Sequence, residues 1–75
     1  MSMNSEKAIP LRINGEAGEY RAVDLLALVA EYGLDPARRG LACALNDEVV
    51  PREAWRQTPV KPGDKVEIVQ PLAGG

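Results

Sequence analysis

The chain ends at Gly74-Gly75, directly after the apolar stretch Lys65-Val66-Glu67-Ile68-Val69-Gln70-Pro71-Leu72-Ala73, so a carboxylate stands on a tail almost free of side chains. This carboxylate, on Gly75, is the chain's candidate reactive group. Glycine has no Cβ, so Gly74 and Gly75 can thread a narrow cleft and adopt backbone angles closed to other residues. A carboxylate repels nucleophiles and reacts only once converted to a mixed anhydride or thioester, so the tail needs an activating partner. Ala73 and Gly74 would have to follow Gly75 into that partner's active site. Chain ends are commonly small and mobile, so this reading needs support from the elements that carry the tail.

Those elements have to fit into 75 residues, enough for one domain near the lower size at which a core forms without staples. A single cysteine, Cys43, rules out an internal disulfide, and the absence of histidine removes the commonest metal ligand and general base. The composition argues against a self-sufficient catalytic centre. Nine basic and eleven acidic residues give a net charge of -2, which offers no electrostatic footprint for nucleic acid or an anionic membrane. No apolar run approaches the roughly 20 residues of a membrane span, and the N-terminus lacks the apolar core of a signal peptide. A cytoplasmic chain is expected. Gly33, Gly40 and Gly63 stand singly, so no phosphate-binding glycine run is present. If ATP activates the tail, the partner binds it.

Along the chain, residues 1–8 read as a disordered extension, 9–71 as the domain and 72–75 as a flexible tail. Ile9, Leu11 and Ile13 alternate with Pro10 and Arg12 as in a strand with one buried face. Asn14-Gly15 is a strong hairpin signal, since both residues tolerate the positive φ of a type I′ turn. Glu16 to Arg21 returns as a weaker strand containing Gly18. The period then changes: Ala22, Leu25, Leu26, Val29 and Tyr32 make an apolar stripe along a helix of about three turns, closed by Gly33. No Ser, Thr or Asn caps its start, and Asp24 is expected only to compensate the helix dipole.

Leu34 to Gly40, with Arg38-Arg39, reads as a solvated crossing loop, and Leu41 to Leu45 as an apolar strand. After Asn46-Asp47 comes a short strand, Glu48 to Val50; Pro51 opens a helical turn carrying Trp55. An indole buries about 150–250 Å², which makes Trp55 a core plug. Pro62-Gly63-Asp64 turns the chain into a last strand, Lys65 to Gln70, with Val66 and Ile68 inward. The expected core is Leu25, Leu26, Val29, Leu41, Cys43, Leu45, Trp55, Val66 and Ile68. The order predicts an α+β fold, a β-grasp of ubiquitin-like layout with a mixed sheet of four to five strands packed on one helix.

Several segments together resemble one family: Asn14-Gly15, Val23-Asp24-Leu25-Leu26, Gly33 to Arg39, Ala44 to Arg52 followed by Trp55, Gly63-Asp64 and Ala73-Gly74-Gly75. They look like the ThiS family of thiamine-biosynthesis sulfur carriers, over a span from about Ile9 to Gly75. The Val49-Val50-Pro51-Arg52 stretch with Trp55 favours this branch over the small subunit of molybdopterin synthase. Arg21-Ala22 departs from the Thr-Val pair with which the family usually begins its helix. The resemblance implies that an E1-like, ThiF-like adenylyltransferase activates the Gly75 carboxylate with ATP and magnesium, the chain itself binding no cofactor. Sulfur drawn from a cysteine desulfurase or another donor would then give a thiocarboxylate, consumed by a ThiG-like thiazole synthase. On this resemblance the chain is a carrier and no enzyme.

Three other readings stay open: a sulfur carrier for molybdopterin or cysteine synthesis, a ubiquitin-like modifier of lysines, and an interaction domain with an inert terminus. Cys43, spaced between Leu41 and Leu45 as in a strand, reads as a small buried hydrophobe and not as the sulfur site. If Val66 and Ile68 point inward, Val69 and Pro71 point outward. Val69, Pro71 and Leu72, with Ala42 and Ala44, then form an expected docking patch beside the tail.

Overall fold

The computed structural model describes residues 7–71. The tail residues Leu72, Ala73, Gly74 and Gly75, and the first six residues of the predicted extension, lie outside the described part. Strands β1 (Ile9–Ile13) and β2 (Glu16–Tyr20) form the expected hairpin, turning at Asn14 and Gly15 with φ of 53° and 86°. Both residue types accept this left-handed backbone, glycine because it lacks a Cβ and asparagine through its short amide side chain. In β2, Gly18 lies opposite Leu11, and a Cβ there would come within 3.1 Å of the Tyr20 ring.

Helix α1 (Leu25–Glu31) is shorter than predicted and starts three residues later than the stripe suggests. The reason is Asp24. Its backbone is extended and its carboxylate accepts the Ala27 N–H at 2.8 Å, so it is the N-cap and not a first-turn residue. The segment before the helix is held separately: the Glu31 carboxylate accepts the N–H groups of Arg21 and Ala22 at 2.8–2.9 Å. Residues 23–25 are also tied to 58–60, through Leu25 N–H to Thr58 C=O and Val60 N–H to Val23 C=O. Gly33, with φ of 102°, follows the C-cap Tyr32 as expected.

Strand β3 (Ala42–Leu45) turns at Asn46-Asp47 into β4 (Glu48–Val50). A 3₁₀ helix (Arg52–Gln57) then carries Trp55 into the core. Strand β5 (Lys65–Val69) completes a five-stranded sheet ordered β2-β1-β5-β3-β4, in which β1 and β5 are parallel and every other pair antiparallel. The mixed sheet over one helix is the predicted architecture.

The core comprises Leu11, Ile13, Ala22, Leu25, Leu28, Val29, Leu41, Cys43, Trp55, Val60, Val66 and Ile68. Leu28, not Leu26, is the fully buried helix residue, and Leu26 and Leu45 are half-buried at the edge. At about 100° per residue, Leu26 and Leu28 sit about 80° on either side of the axis through Ala22, Leu25, Val29 and Tyr32. Periodicity therefore does not choose between them. The folded packing decides it: Leu28 is fully buried and Leu26 only partly, in a core that also holds Trp55 from the 3₁₀ helix packed against α1. The indole is wholly buried and donates its Nε1–H to Val50 C=O at 2.9 Å, which satisfies its one polar atom.

Candidate functional site

Alternation along β5 separates two tasks. Val66 and Ile68 face the helix, while Lys65, Glu67 and Val69 face away from it. Near the start of the strand the outer face is charged: Lys65 pairs with Asp47 at 2.8 Å, and that contact raises the ammonium's pKa. At the end nearest the tail it is apolar. Val69, 59% exposed, lies opposite Ala42, and Glu67 lies opposite Ala44.

The next strand extends the patch, because Ala44 faces Val49, itself 78% exposed. The predicted neighbours Val69, Ala42 and Ala44 thus share one bare sheet face, with Pro71 exposed beyond them. Val49 is an addition that the sequence reading of the patch lacks. Its signal is the alternation of Glu48-Val49-Val50, where Val50 turns toward Cys43 and Val49 must turn out. The small alanines leave the centre of the patch shallow, a surface suited to contact with another protein.

The loop after α1 is exposed at Ala37, Arg38, Arg39 and Gly40, as expected, but it is also tied to its surroundings. Arg52 donates to the carbonyls of Pro36 and Arg38, and its guanidinium lies 5.2 Å from the Trp55 ring centroid. Arg38 Nη1 donates to Gln70 Oε1 at 3.3 Å. Gly40 approaches Pro71 so closely that a Cβ would stand 3.0 Å from the proline ring. The loop therefore flanks the point where the chain leaves β5.

Cys43 is only 2% exposed, and burial pushes its thiol up to about 11 from the usual 9.0. A thiol held protonated and out of reach is a poor nucleophile, in keeping with its reading as a core residue. Elsewhere, a cleft of about 180 Å³ lined by Pro10, Leu11, Arg12, Ala17 and Gly63 lies at the opposite end of β5 from the tail. Among the described residues no group of three His, Cys, Asp or Glu gathers as a metal site, and no helix is long and apolar enough to cross a membrane.

The helix-covered mixed sheet, with parallel first and last strands, defines a β-grasp domain of the ubiquitin-like class. The ThiS family model matches residues 11–75. The chain belongs to the ThiS family. It is similar to the sulfur carrier protein ThiS of Escherichia coli (strain K12), 45% identical over 42 residues that make up 56% of this chain and 64% of that protein. A thiazole synthase of Paramagnetospirillum magneticum (strain ATCC 700264 / AMB-1) is 41% identical over 66 residues. That match covers 87% of this chain but 20% of the synthase, so the chain spans under two thirds of the first curated relative and a fifth of the second.

Among solved structures, the crystal structure of the thiamine biosynthesis protein ThiS from Geobacter metallireducens superposes with a TM-score of 0.73 at 30% identity. It covers 89% of this chain and all of that one. A solution structure of a thiamine biosynthesis protein from the same organism gives 0.75 at 28% identity, covering 89% and 88%.

Proposed function

We propose that this chain is the sulfur carrier of thiazole formation in thiamine biosynthesis, with Gly75 as the point of attachment. The observation that carries the reading is the apolar face of Val69, Ala42, Ala44 and Val49 at the end of the strand that runs into the tail. The family match that continues to residue 75 supports it. A segment like this chain within a thiazole synthase supports such an enzyme as the consumer of the sulfur.

The chemistry runs in two balanced steps. A Gly75 carboxylate oxygen attacks the α-phosphorus of ATP, pyrophosphate leaves with the electron pair of the broken P–O bond, and an acyl-adenylate results. A hydrosulfide then attacks the acyl carbon and displaces AMP, leaving a thiocarboxylate. Where the donor presents a persulfide, its outer sulfur attacks instead and AMP leaves. A donor thiol then cleaves the resulting acyl disulfide, releasing the thiocarboxylate and ending as a disulfide with the persulfide's inner sulfur. An E1-like adenylyltransferase supplies the ATP and magnesium site, and a cysteine desulfurase or another donor supplies the sulfur. The chain performs no catalysis; it docks through the patch and offers the tail through Ala73 and Gly74. The proposed place of this work is the cytoplasm.

The test is intact-mass analysis after incubation with ATP, magnesium, an E1-like adenylyltransferase and a sulfur source. The wild type is expected to exchange one oxygen for one sulfur. Deleting Gly75, or adding one alanine after it, is expected to abolish AMP transfer with the fold intact. An added residue moves the carboxylate by about 3.3–3.6 Å, whereas a misplacement of about 1 Å already costs roughly a hundredfold. Sulfur that maps to Cys43, or persists without Gly75, overturns the mechanism.

A further inference from the structure

Strand β5 outlasts the strand beside it. The backbone of β1 pairs with β5 through Arg12 N–H to Asp64 C=O and Asn14 N–H to Val66 C=O, and then the chain reverses at Gly15. The N–H and C=O of Ile68 point to the same edge as those of Val66, where no β1 backbone remains to meet them. The side chain of Asn14 meets both: its Oδ1 accepts the Ile68 N–H at 2.8 Å, and its Nδ2 donates to the Ile68 carbonyl at 3.2 Å. A side-chain amide thus stands in for the next peptide of the strand.

The other edge is held as well. Val69 pairs with Ala42, Gln70 receives the Arg38 guanidinium, and the bare backbone of Gly40 lies against Pro71. The stretch 68–71 is therefore gripped on two sides by Asn14 and by the 38–40 loop, none of which belongs to the hydrophobic core. A turn needs only the left-handed backbone at residue 14, which glycine would also supply. The second task, fixing Ile68, requires one donor and one acceptor on a short planar group, and asparagine has both.

We infer that Asn14 is a positioning residue for the tail chemistry, its amide clamp fixing the direction in which the chain leaves β5. Gly40 is the opposing stop, whose missing side chain leaves room for Pro71. The inference rests on the reading of Gly75 as the activated group. A carboxylate delivered into a partner's cleft must reach the α-phosphorus within about 3–3.5 Å, and a swinging base would spread it over many wrong positions. The docking patch fixes where the domain sits; the clamp fixes where the tail points.

Asn14→Gly keeps the turn and deletes both bonds. Asn14→Asp keeps the acceptor for Ile68 N–H but sets a carboxylate oxygen against the Ile68 carbonyl. With an E1-like adenylyltransferase, ATP and magnesium, both variants are expected to lower kcat for adenylation by roughly ten- to a hundredfold while the KM for the carrier stays near wild type. Amide exchange should accelerate at Ile68 but not at Val66. Val60→Ala, a core variant that loses stability away from the clamp, should keep the wild-type kcat. Gly40→Ala should repeat the kcat loss from the opposite edge, and serves if Asn14→Gly does not fold.

A wild-type kcat in folded Asn14→Gly and Asn14→Asp overturns the clamp, as does an equal kcat loss in Val60→Ala. If the wild-type chain itself gains no AMP, the carrier reading falls and the clamp's role falls with it. That failure is distinguishable because it precedes any variant.

Discussion

The two faces of the sheet are written into the same strands at alternate positions, yet they carry opposite instructions. On the inner face Leu11, Ile13, Cys43, Val66 and Ile68 are all nearly sealed under α1 and the 3₁₀ helix. On the outer face the neighbours of those residues in sequence, Pro10, Arg12, Ala42, Glu67 and Val69, all stand in solvent. Burial of a Val- or Leu-sized side chain contributes about 1.5–3 kcal/mol, so the inner residues bear the stability. The outer ones are free to be chosen for something else. Among the described residues this small domain has one α-helix, which covers one face of the sheet and leaves the other open, and the proposed docking uses that open face.

Leu28→Ala should have the largest effect on stability, about 2–5 kcal/mol by denaturant melting, as truncation of a fully buried leucine does. Leu26→Ala, at the half-buried edge, should cost clearly less. Equal losses would show that the helix presents a different face from the one described.

The alkaline limb comes next. The Cys43 thiol has a folded pKa raised to about 11 above its usual 9.0, so the native state holds this proton more firmly than the unfolded chain. Its contribution is present in full below pH 9 and is lost as pH rises toward 11, at most about 2–3 kcal/mol. Tyr20, raised by burial and then by Tyr32 and Glu31, and Lys65, raised by Asp47, lose stability in the same direction. The comparison of wild type with Cys43→Ala in melts from about pH 8 to 11 isolates the thiol. Parallel pH profiles would show that the inner face is wetter at Cys43 than its burial implies.

Asp24→Ala should cost about 1 kcal/mol, the loss typical of an N-cap, read as a lower thermal midpoint. The smallest stability change belongs to Val69→Arg on the outer face, within about 0.5 kcal/mol, yet this variant should adenylate far more slowly than wild type. Normal adenylation of a folded Val69→Arg chain would detach the outer face from the docking role.

Features set by neighbours in sequence are legible in the chain itself: the Asn14-Gly15 turn, the alternation of β1 and β5, the stop at Gly33, and a lone tryptophan too large to leave outside. The shared outward face of Val69 and Ala42 follows from alternation once β3 and β5 are taken as neighbours. What escapes local pattern is settled by distant partners. Leu28 outranks Leu26 only in the folded packing, where α1 meets the sheet's inner face and the 3₁₀ helix Arg52–Gln57 from far downstream. Asp24 is a different case: its bond to the Ala27 N–H is local and aspartate is among the favoured N-caps, so the sequence carries that signal. Nothing near residue 14 in the sequence says that its amide will close the edge of β5, and the Arg38–Gln70 and Gly40–Pro71 contacts are equally invisible to local pattern.

The parallel pairing of β1 with β5 has a consequence for how the domain comes into being. Without β5 the sheet is two separate hairpins, β1–β2 and β3–β4, with no ladder between them. The last strand is the seam that joins them, and its partner Arg12 lies almost the whole domain away from Lys65. Such distant closure is slow relative to local turns. The apolar face needs β5 too, because Val69 is its exposed end. A chain still searching for its fold therefore lacks the apolar face, and on the proposed docking an activating enzyme that reads both this face and the tail would take up folded chains and pass over unfolded ones.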